Sequence, residues 1–386
     1  MKQSIAFLAC ILFFVFAKAQ KPETIYSFAV VPQTIAYYKQ QAQLWKKEID
    51  KDKQNAFAWY NYYRAVRNYL SKDTTDLRTW KEKLQSQKDI VDEMGKAVPN
   101  TFEYNFCRWA MCFNDYTQIQ YLKKAYELGK DRIEIITDMM NWGELERNLD
   151  RRNEYARRGF ESELASPGLL NYNYNVLAGL KPNAILFTCG DNDTYPIWEL
   201  QAKGIRKDVK VLNLALLGIE EYRDKIFKEL GLPLWNENMV APEDKNSDNP
   251  FFKSLIKHVA TNTNKYPVYV GLTVETSYTE SMQDSFYLTG LAYEFSNKPI
   301  DNIASLQHNF EHVYALDYID KHFYKDISAY FANCCNQNYI VPMLKLYEHY
   351  QILNDVQHEE WIKHKALAIA KEGDYDKQVK DYFKEN

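Results

Sequence analysis

The sequence predicts an α+α/β protein in which helical repeats flank a small α/β domain with a mainly parallel sheet. Three observations carry this. Glycine and proline, 13 and 12 of 386 residues, stand at about half their usual share, which disfavours turn-rich all-β folds and disordered linkers. Apolar residues recur at helical spacing over most of the chain. The exceptions are short apolar runs between residues 184 and 295, and seven of the twelve prolines cluster near them, from Pro167 to Pro267.

Residues 1–19 read as a secretory signal peptide. Lys2 supplies the basic start, Ile5 to Phe16 the apolar run, and Ala17-Lys18-Ala19 a small-residue cleavage site before Gln20. That run is short for a membrane span, and no later segment is long and apolar enough to cross a bilayer. The expected location is the periplasm, with the protein soluble after cleavage.

Residues 20–165 read as consecutive amphipathic helices. Tyr38, Ala42, Trp45 and Ile49 share one face, as do Trp59, Tyr63, Val66 and Leu70, and then Trp80, Leu84, Val91, Met94 and Val98. Phe102, Phe106, Trp109 and Phe113 continue the pattern, and Tyr121 to Leu128 closes on Gly129, a residue suited to a helix end. Helix starts near Asn55, Asn100 and Asp131 lie 45 and 31 residues apart. These offsets straddle the roughly 34-residue period of tetratricopeptide repeats, so a degenerate repeat of that kind is expected.

Ser166-Pro167-Gly168 is the first strong breaker, and residues 166–315 are expected to form the α/β domain. Ala184 to Thr188 reads as a strand, Pro196 to Lys203 as a helix and Val209 to Leu217 as a second strand. Strand, helix and strand at this spacing imply parallel pairing through a right-handed crossover. Helices near Glu220–Leu230 and Phe251–Thr261 follow, then a third strand from Pro267 to Val274 and a fourth from Phe286 to Phe295. Residues 316–386 read as helical again and tetratricopeptide-like, with Val341–Leu353 paired to His358–Ala370 and a last helix beyond Glu372-Gly373-Asp374.

Charge and cysteine usage narrow the function. The net charge is −4, and without residues 1–19 there are 46 basic against 52 acidic residues. No basic stripe with interleaved aromatics appears, so nucleic acid is not an expected partner. Loss of Cys10 leaves five cysteines, which cannot all pair internally, so no disulfide framework is indicated. Neither Cys107 with Cys112 nor Cys334-Cys335 has zinc-ligand spacing. The 30 Tyr, 20 Phe and 8 Trp suit seams between packed helices. A glycan-stacking surface would draw on the same residues.

The best candidate site is the loop after the first strand, Cys189-Gly190-Asp191-Asn192-Asp193-Thr194, because parallel sheets bind ligands beyond the carboxyl ends of their strands. Asp191 and Asp193 offer hard oxygen ligands, Asn192 both donates and accepts, and Thr194 precedes a helix; Asn213, near the end of the second strand, is placed to reach the same crevice. A purely structural role competes with this. Asp193 or Thr194 suits a helix N-cap, Pro196 a first turn, and Glu199 the helix dipole. The D-x-D form carries little information, since it recurs at Asp50-Lys51-Asp52 and Asp374-Tyr375-Asp376, and Tyr195 breaks the phosphatase pattern D-x-D-x-T. His308-Asn309-Phe310-Glu311-His312 matches the H-x-x-E-H zinc-peptidase form, with Glu359 or Glu360 as third ligand a guess only. Within the α/β segment Cys189 has only His258 to activate it as a nucleophile, and no Gly-rich phosphate loop or G-x-S-x-G elbow appears. No cofactor or metal is called for.

The string Pro182-Asn183-Ala184-Ile185-Leu186-Phe187-Thr188-Cys189-Gly190-Asp191-Asn192-Asp193-Thr194-Tyr195-Pro196-Ile197-Trp198, with Gly204 to Val209, Leu212 to Leu217 and later Gly290 to Phe295, resembles the soluble C-terminal region of the bacterial protein O-mannosyltransferase-like (DUF2723-type) membrane family. The resemblance covers roughly residues 170–315. In that family a multi-span half carries the catalytic carboxylates and meets the lipid-linked sugar, and this chain has no counterpart of it. The resemblance therefore implies an envelope protein holding the accessory module alone. The expected function is an exported, non-catalytic binding or scaffold component of an envelope complex, such as secretion or surface-motility machinery. Its helical repeats would hold a protein partner, and a glycan or peptide would be the ligand of Asp191, Asn192, Asp193, Thr194 and Asn213. The alternative is an enzyme of glycan or glycoconjugate processing that uses Asp191 and Asp193. A zinc peptidase at His308, Glu311 and His312 is the outlying reading.

Overall fold

The computed structural model describes residues 21–112, 115–242, 244–245, 249–321 and 328–384. The expected signal peptide lies outside these residues. The described chain packs as two compact units, one formed by residues up to Ser27 with Gln33–Leu128, the other by Phe28–Pro32 with Gly129 onward.

The first unit is helical. Its helices are α1 (Ile35–Lys51), α2 (Ala56–Lys72), α3 (Trp80–Ala97), α4 (Phe102–Ala110) and α5 (Ile119–Gly129). Each of the first four begins at a side chain that accepts a hydrogen bond from the backbone N–H three residues on: Thr34, Asn55, Thr79 and Thr101. Thr79 and Glu82 form a reciprocal capping box. Such caps each stabilise a helix by about 1 kcal/mol. The apolar faces read from spacing are the buried ones, with Tyr38, Trp45 and Ile49 of α1 and Trp59, Tyr63, Val66 and Leu70 of α2 in the core. Trp80 of α3 is exposed, Leu84 and Phe106 are half-buried, and Phe113 lies outside the described residues. Two buried polar groups fasten the segment that leads into α1. Asn61 Oδ1 accepts from the Ile25 amide at 2.8 Å, and Trp45 Nε1 donates to the Glu23 carbonyl at 2.8 Å.

The second unit is built around a five-stranded sheet. Before the sheet come α6 (Ile136–Leu145), α7 (Leu149–Glu161) and α8 (Pro167–Ala178). The sequence had placed only a breaker at Ser166-Pro167-Gly168. It is a helix start instead, with Ser166 as N-cap and Pro167 in the first turn, where its missing N–H costs nothing. The sheet and its connections are β1 (Ile185–Thr188), α9 (Tyr195–Ala202), β2 (Lys210–Asn213), α10 (Leu214–Leu217), α11 (Glu220–Leu230), α12 (Pro250–Asn262), β3 (Val268–Gly271), β4 (Phe286–Leu288) and β5 (Ala292–Phe295). The strand order is β2-β1-β3-β5-β4.

The expected mainly parallel sheet is a mixed one. β1 pairs in parallel with β2 and with β3, while β3–β5 and β5–β4 are antiparallel. The reason lies in the stretch expected to be a single fourth strand. It folds back at Thr289-Gly290-Leu291, and a Cβ at Gly290 would overlap Tyr314 Oη, which accepts the Leu291 amide at 3.1 Å. The second strand is also shorter than expected. Asn213 Oδ1 accepts from the Leu216 amide at 3.1 Å and turns Leu214–Leu217 into a short helix. All four residues of β1 are buried, as a strand covered on both faces requires.

Beyond the sheet lie α13 (Asn302–His308), α14 (Ala329–Asn336), α15 (Ile340–Leu353), α16 (Val356–Lys371) and α17 (Asp376–Phe383). α15 and α16 form a helical hairpin that turns at Asn354, whose φ of 55° is left-handed. Among the described residues no helix is long and apolar enough to cross a membrane, and the five cysteines there are unbridged.

Candidate functional site

The loop Cys189–Thr194 leaves the carboxyl end of β1 between the ends of β2 and β3, and its geometry is set by Asp193. That side chain, only 5% exposed, accepts four hydrogen bonds. Two come from the loop's own backbone, Cys189 N at 3.0 Å and Gly190 N at 2.8 Å. Two come from hydroxyls, Thr273 at 2.5 Å from the segment after β3 and Thr194 at 3.2 Å. Thr194 Oγ1 lies 2.8 Å from Thr188 Oγ1 and accepts from Asn213 Nδ2 at 2.9 Å. The loop is therefore tied to the ends of all three parallel strands.

Of the five residues expected at the site, Asp193, Thr194 and Asn213 come together in this buried network. Asn192 stands outside it, its carbonyl accepting from Asn173 Nδ2 of α8 at 2.8 Å. Asp191 is exposed, and its carbonyl accepts the Tyr195 amide at 3.1 Å as α9 begins. Thr194 occupies the N-cap position of α9 without a side-chain capping bond, because its hydroxyl is committed to the network. Burial pushes the Asp193 carboxyl up, against its four donors. Burial also pushes the Cys189 thiol up, and the charges of Asp193 and Glu275 add to it. That is opposite to what a thiolate nucleophile needs.

One residue of the region escaped the sequence reading. Glu199, expected to complement the helix dipole, lies in the interior of α9 and is fully buried. Neither carboxyl oxygen has a hydrogen-bond partner of good geometry, the Ala165 backbone being a weak one. Burial pushes its pKa up to about 8, with the Ala165 backbone the only opposing influence, so the acid is protonated at neutral pH. A Cβ on Gly159 of α7 would stand 2.6 Å from Glu199 Oε1, so the glycine makes room for the acid. The signal was there in Ile197-Trp198-Glu199-Leu200, where a single acid sits among apolar neighbours on a helix with no polar face. A second buried acid, Glu144 of α6, has the opposite surroundings. It accepts from Arg152 Nη1 at 2.8 Å and Tyr222 Oη at 2.7 Å and pairs with Arg147.

The H-x-x-E-H segment lies at the end of α13. His308 and His312 are both exposed, with ring centroids 5.6 Å apart. Glu311 accepts from Tyr350 Oη at 2.7 Å and Gln307 Nε2 at 2.9 Å, and Glu359 accepts from Gln351 at 3.0 Å. Among the described residues no group of three or more His, Cys, Asp or Glu is placed to hold a metal ion.

A family model described as TMEM260-associated domain 2 matches residues 169–230. The matched stretch runs from α8 to the end of α11, so it contains β1, the Asp193 loop, the Glu199 helix and β2. No curated protein and no solved structure matches the chain.

Proposed function

We propose that this chain is an exported, non-catalytic binding component of an envelope complex, working in the periplasm after cleavage before Gln20. In this reading the helical hairpins are tetratricopeptide-like units that hold a protein partner. The observation that carries it is the state of Asp193. All four of its hydrogen bonds run to the loop and to the segment after β3, which supports a bracing role for the most conspicuous acid of the sequence. Affinity purification of the tagged protein under native conditions tests the proposal, with capture of an envelope protein in stoichiometric amount as the expected result. A clean monomer with no envelope partner removes it.

A second reading rests on Asp191, which is exposed on the same loop. There the protein would process a glycan or glycoconjugate with Asp191 and Asp193, and Asp191 would be the group in contact with the ligand. Asp191→Asn is the clean variant, since it leaves the Asp193 network in place. An unchanged glycoconjugate profile in cells carrying only this variant ends the enzymatic reading.

A further inference from the structure

α9 packs against α7 and α8, and Glu199 stands in the seam with α7, against Gly159. The hold of α7 on this seam is thin. Its buried residues are Tyr155, Ala156 and Gly159. The rest of its attachment is polar: Arg152 donates to Glu144 at 2.8 Å and lies 5.6 Å from the Trp198 ring centre, and Arg158 donates to the Lys130 carbonyl at 2.8 Å. A helix with so few buried apolar contacts opens locally at lower cost than the core strands of a sheet.

No cation in the seam answers Glu199. On α7, Arg152 and Arg158 are engaged as above, Arg151 pairs with Glu146 at 2.8 Å, and Asp150, Glu154 and Arg157 are exposed. Tyr155 lies under Arg158, 4.9 Å from ring centre to guanidinium, and Glu163 beyond the helix is exposed. α8 has no charged residue, and its ionisable groups are Tyr172 and Tyr174. On α9 itself, Tyr195 accepts from Asn141 Nδ2 at 2.7 Å. Lys203, four residues after Glu199 and one turn along the same side of the helix, is turned towards α7 instead. It meets Glu161 at 3.7 Å and lies 5.2 Å from the Phe160 ring centre. A long, exposed pair of this kind is easily given up.

We propose that Glu199, Gly159 and Lys203 form a proton-operated latch between α9 and α7. With the proton on, the neutral acid lies under α7 and Lys203 meets Glu161. When the proton leaves to solvent, the carboxylate reaches water by lifting the carboxyl-terminal half of α7, takes Lys203 as its partner along α9, and releases Glu161. A Glu four residues before a Lys is the favourable order for such a pair, and it favours the open form about twofold. Closed, the acid keeps its proton up to about pH 8; open, it returns to its ordinary value of 4.5. Each pH unit between these values therefore favours the open form by up to about tenfold, and the gain levels off above about pH 8.

The test is hydrogen exchange of the full chain, read by mass spectrometry on peptides covering α7 and β1, from about pH 5 to 9 and with low urea added, and corrected for the intrinsic rate at each pH. Protection of α7 is expected to fall about a hundredfold or more between pH 5 and 8, to stay below that of β1 throughout, and to respond little to urea, as local opening does. Glu199→Gln is expected to flatten the α7 profile, and Glu199→Met does the same should circular dichroism show the amide variant perturbed. Equal protection and equal urea response of α7 and β1 overturn the latch, because α7 then opens only when the whole unit unfolds. So does α7 protection that is independent of pH in the wild type, because the acid then ionises in place. Lys203→Met reads the exchange of partners. In the Glu199→Gln background it removes a closed-state pair alone and is expected to lower α7 protection about twofold, whereas in the wild-type background each state loses one pair and protection stays level. A fall of the same size in both backgrounds overturns the exchange.

Discussion

The loop before α9 and the interior of α9 each bury a carboxyl group, six residues apart, and the two are treated in opposite ways. Asp193 is surrounded by two amides and two hydroxyls, whereas Glu199 has no hydrogen-bond partner of good geometry for either oxygen. Burial raises both pKa values. In the loop, donors that would otherwise be orphaned need the acceptor, so the acid holds the structure together. In the helix only the Ala165 backbone opposes the burial, and the acid stays folded by keeping its proton. Burial alone therefore does not tell which buried acid is structural, and the donors around it do.

The largest effect that tests this contrast is Asp193→Ala. Four donors lose their acceptor at once, and unfolding in urea is expected to show a loss of about 4 kcal/mol, given about 1–3 kcal/mol for a buried polar group left unpaired and some relief by water. A loss below about 1 kcal/mol would place the Asp193 network among dispensable surface bonds. Glu199→Gln comes next, and its effect depends on pH. Glu199 has its folded pKa raised from 4.5 to about 8, so between these values the unfolded chain has released a proton that the folded chain keeps. Its stabilising contribution is complete below about 4.5 and is lost as pH rises towards about 8. Relative to wild type, the variant is expected to gain about 3 kcal/mol between pH 5 and 8, at roughly 1 kcal/mol per pH unit, while the unpaired amide adds a cost that is the same at every pH. Thermal melts that shift in parallel across this range would break the contrast. The smallest effect is Thr273→Val, which removes one of the four Asp193 donors and keeps the shape. A destabilisation of about 1 kcal/mol is expected, absent when Asp193→Ala is already present, which a double-mutant cycle reads directly.

Much of the backbone was legible because it follows from periodicity and caps. The helix expected over Glu220–Leu230 has those ends in the structure, and the strand at Ile185–Thr188 carries the site loop at its carboxyl end, as a parallel sheet demands. What failed was local chemistry with two readings. In Val209 to Leu217 nine residues of strand-like composition conceal a helix start at Asn213, because a capping side chain outweighs β-propensity over one turn. In Phe286 to Phe295 the fold-back at Gly290 depends on the close approach of Tyr314, a residue 24 positions on, which composition does not reveal. At the site the residue types were legible and their partners were not. Asp193, read as a possible N-cap, instead accepts from the amides of Cys189 and Gly190 behind it, and its bond to Thr273 spans 80 residues, a contact that no local pattern announces.

That long bond bears on the order in which the unit assembles. The Asp193 carboxylate gains its loop donors as soon as residues 189–194 turn, but Thr273 arrives only when β3 has joined β1. Asn213 reaches Thr194 across 19 residues once β2 is in place. Closing chain segments of this length is slow compared with forming a helix or a turn. The loop is thus the last part of the parallel sheet to lock, and during folding it is expected to be the stretch most open to proteases, its protection marking the moment when all three strands have met.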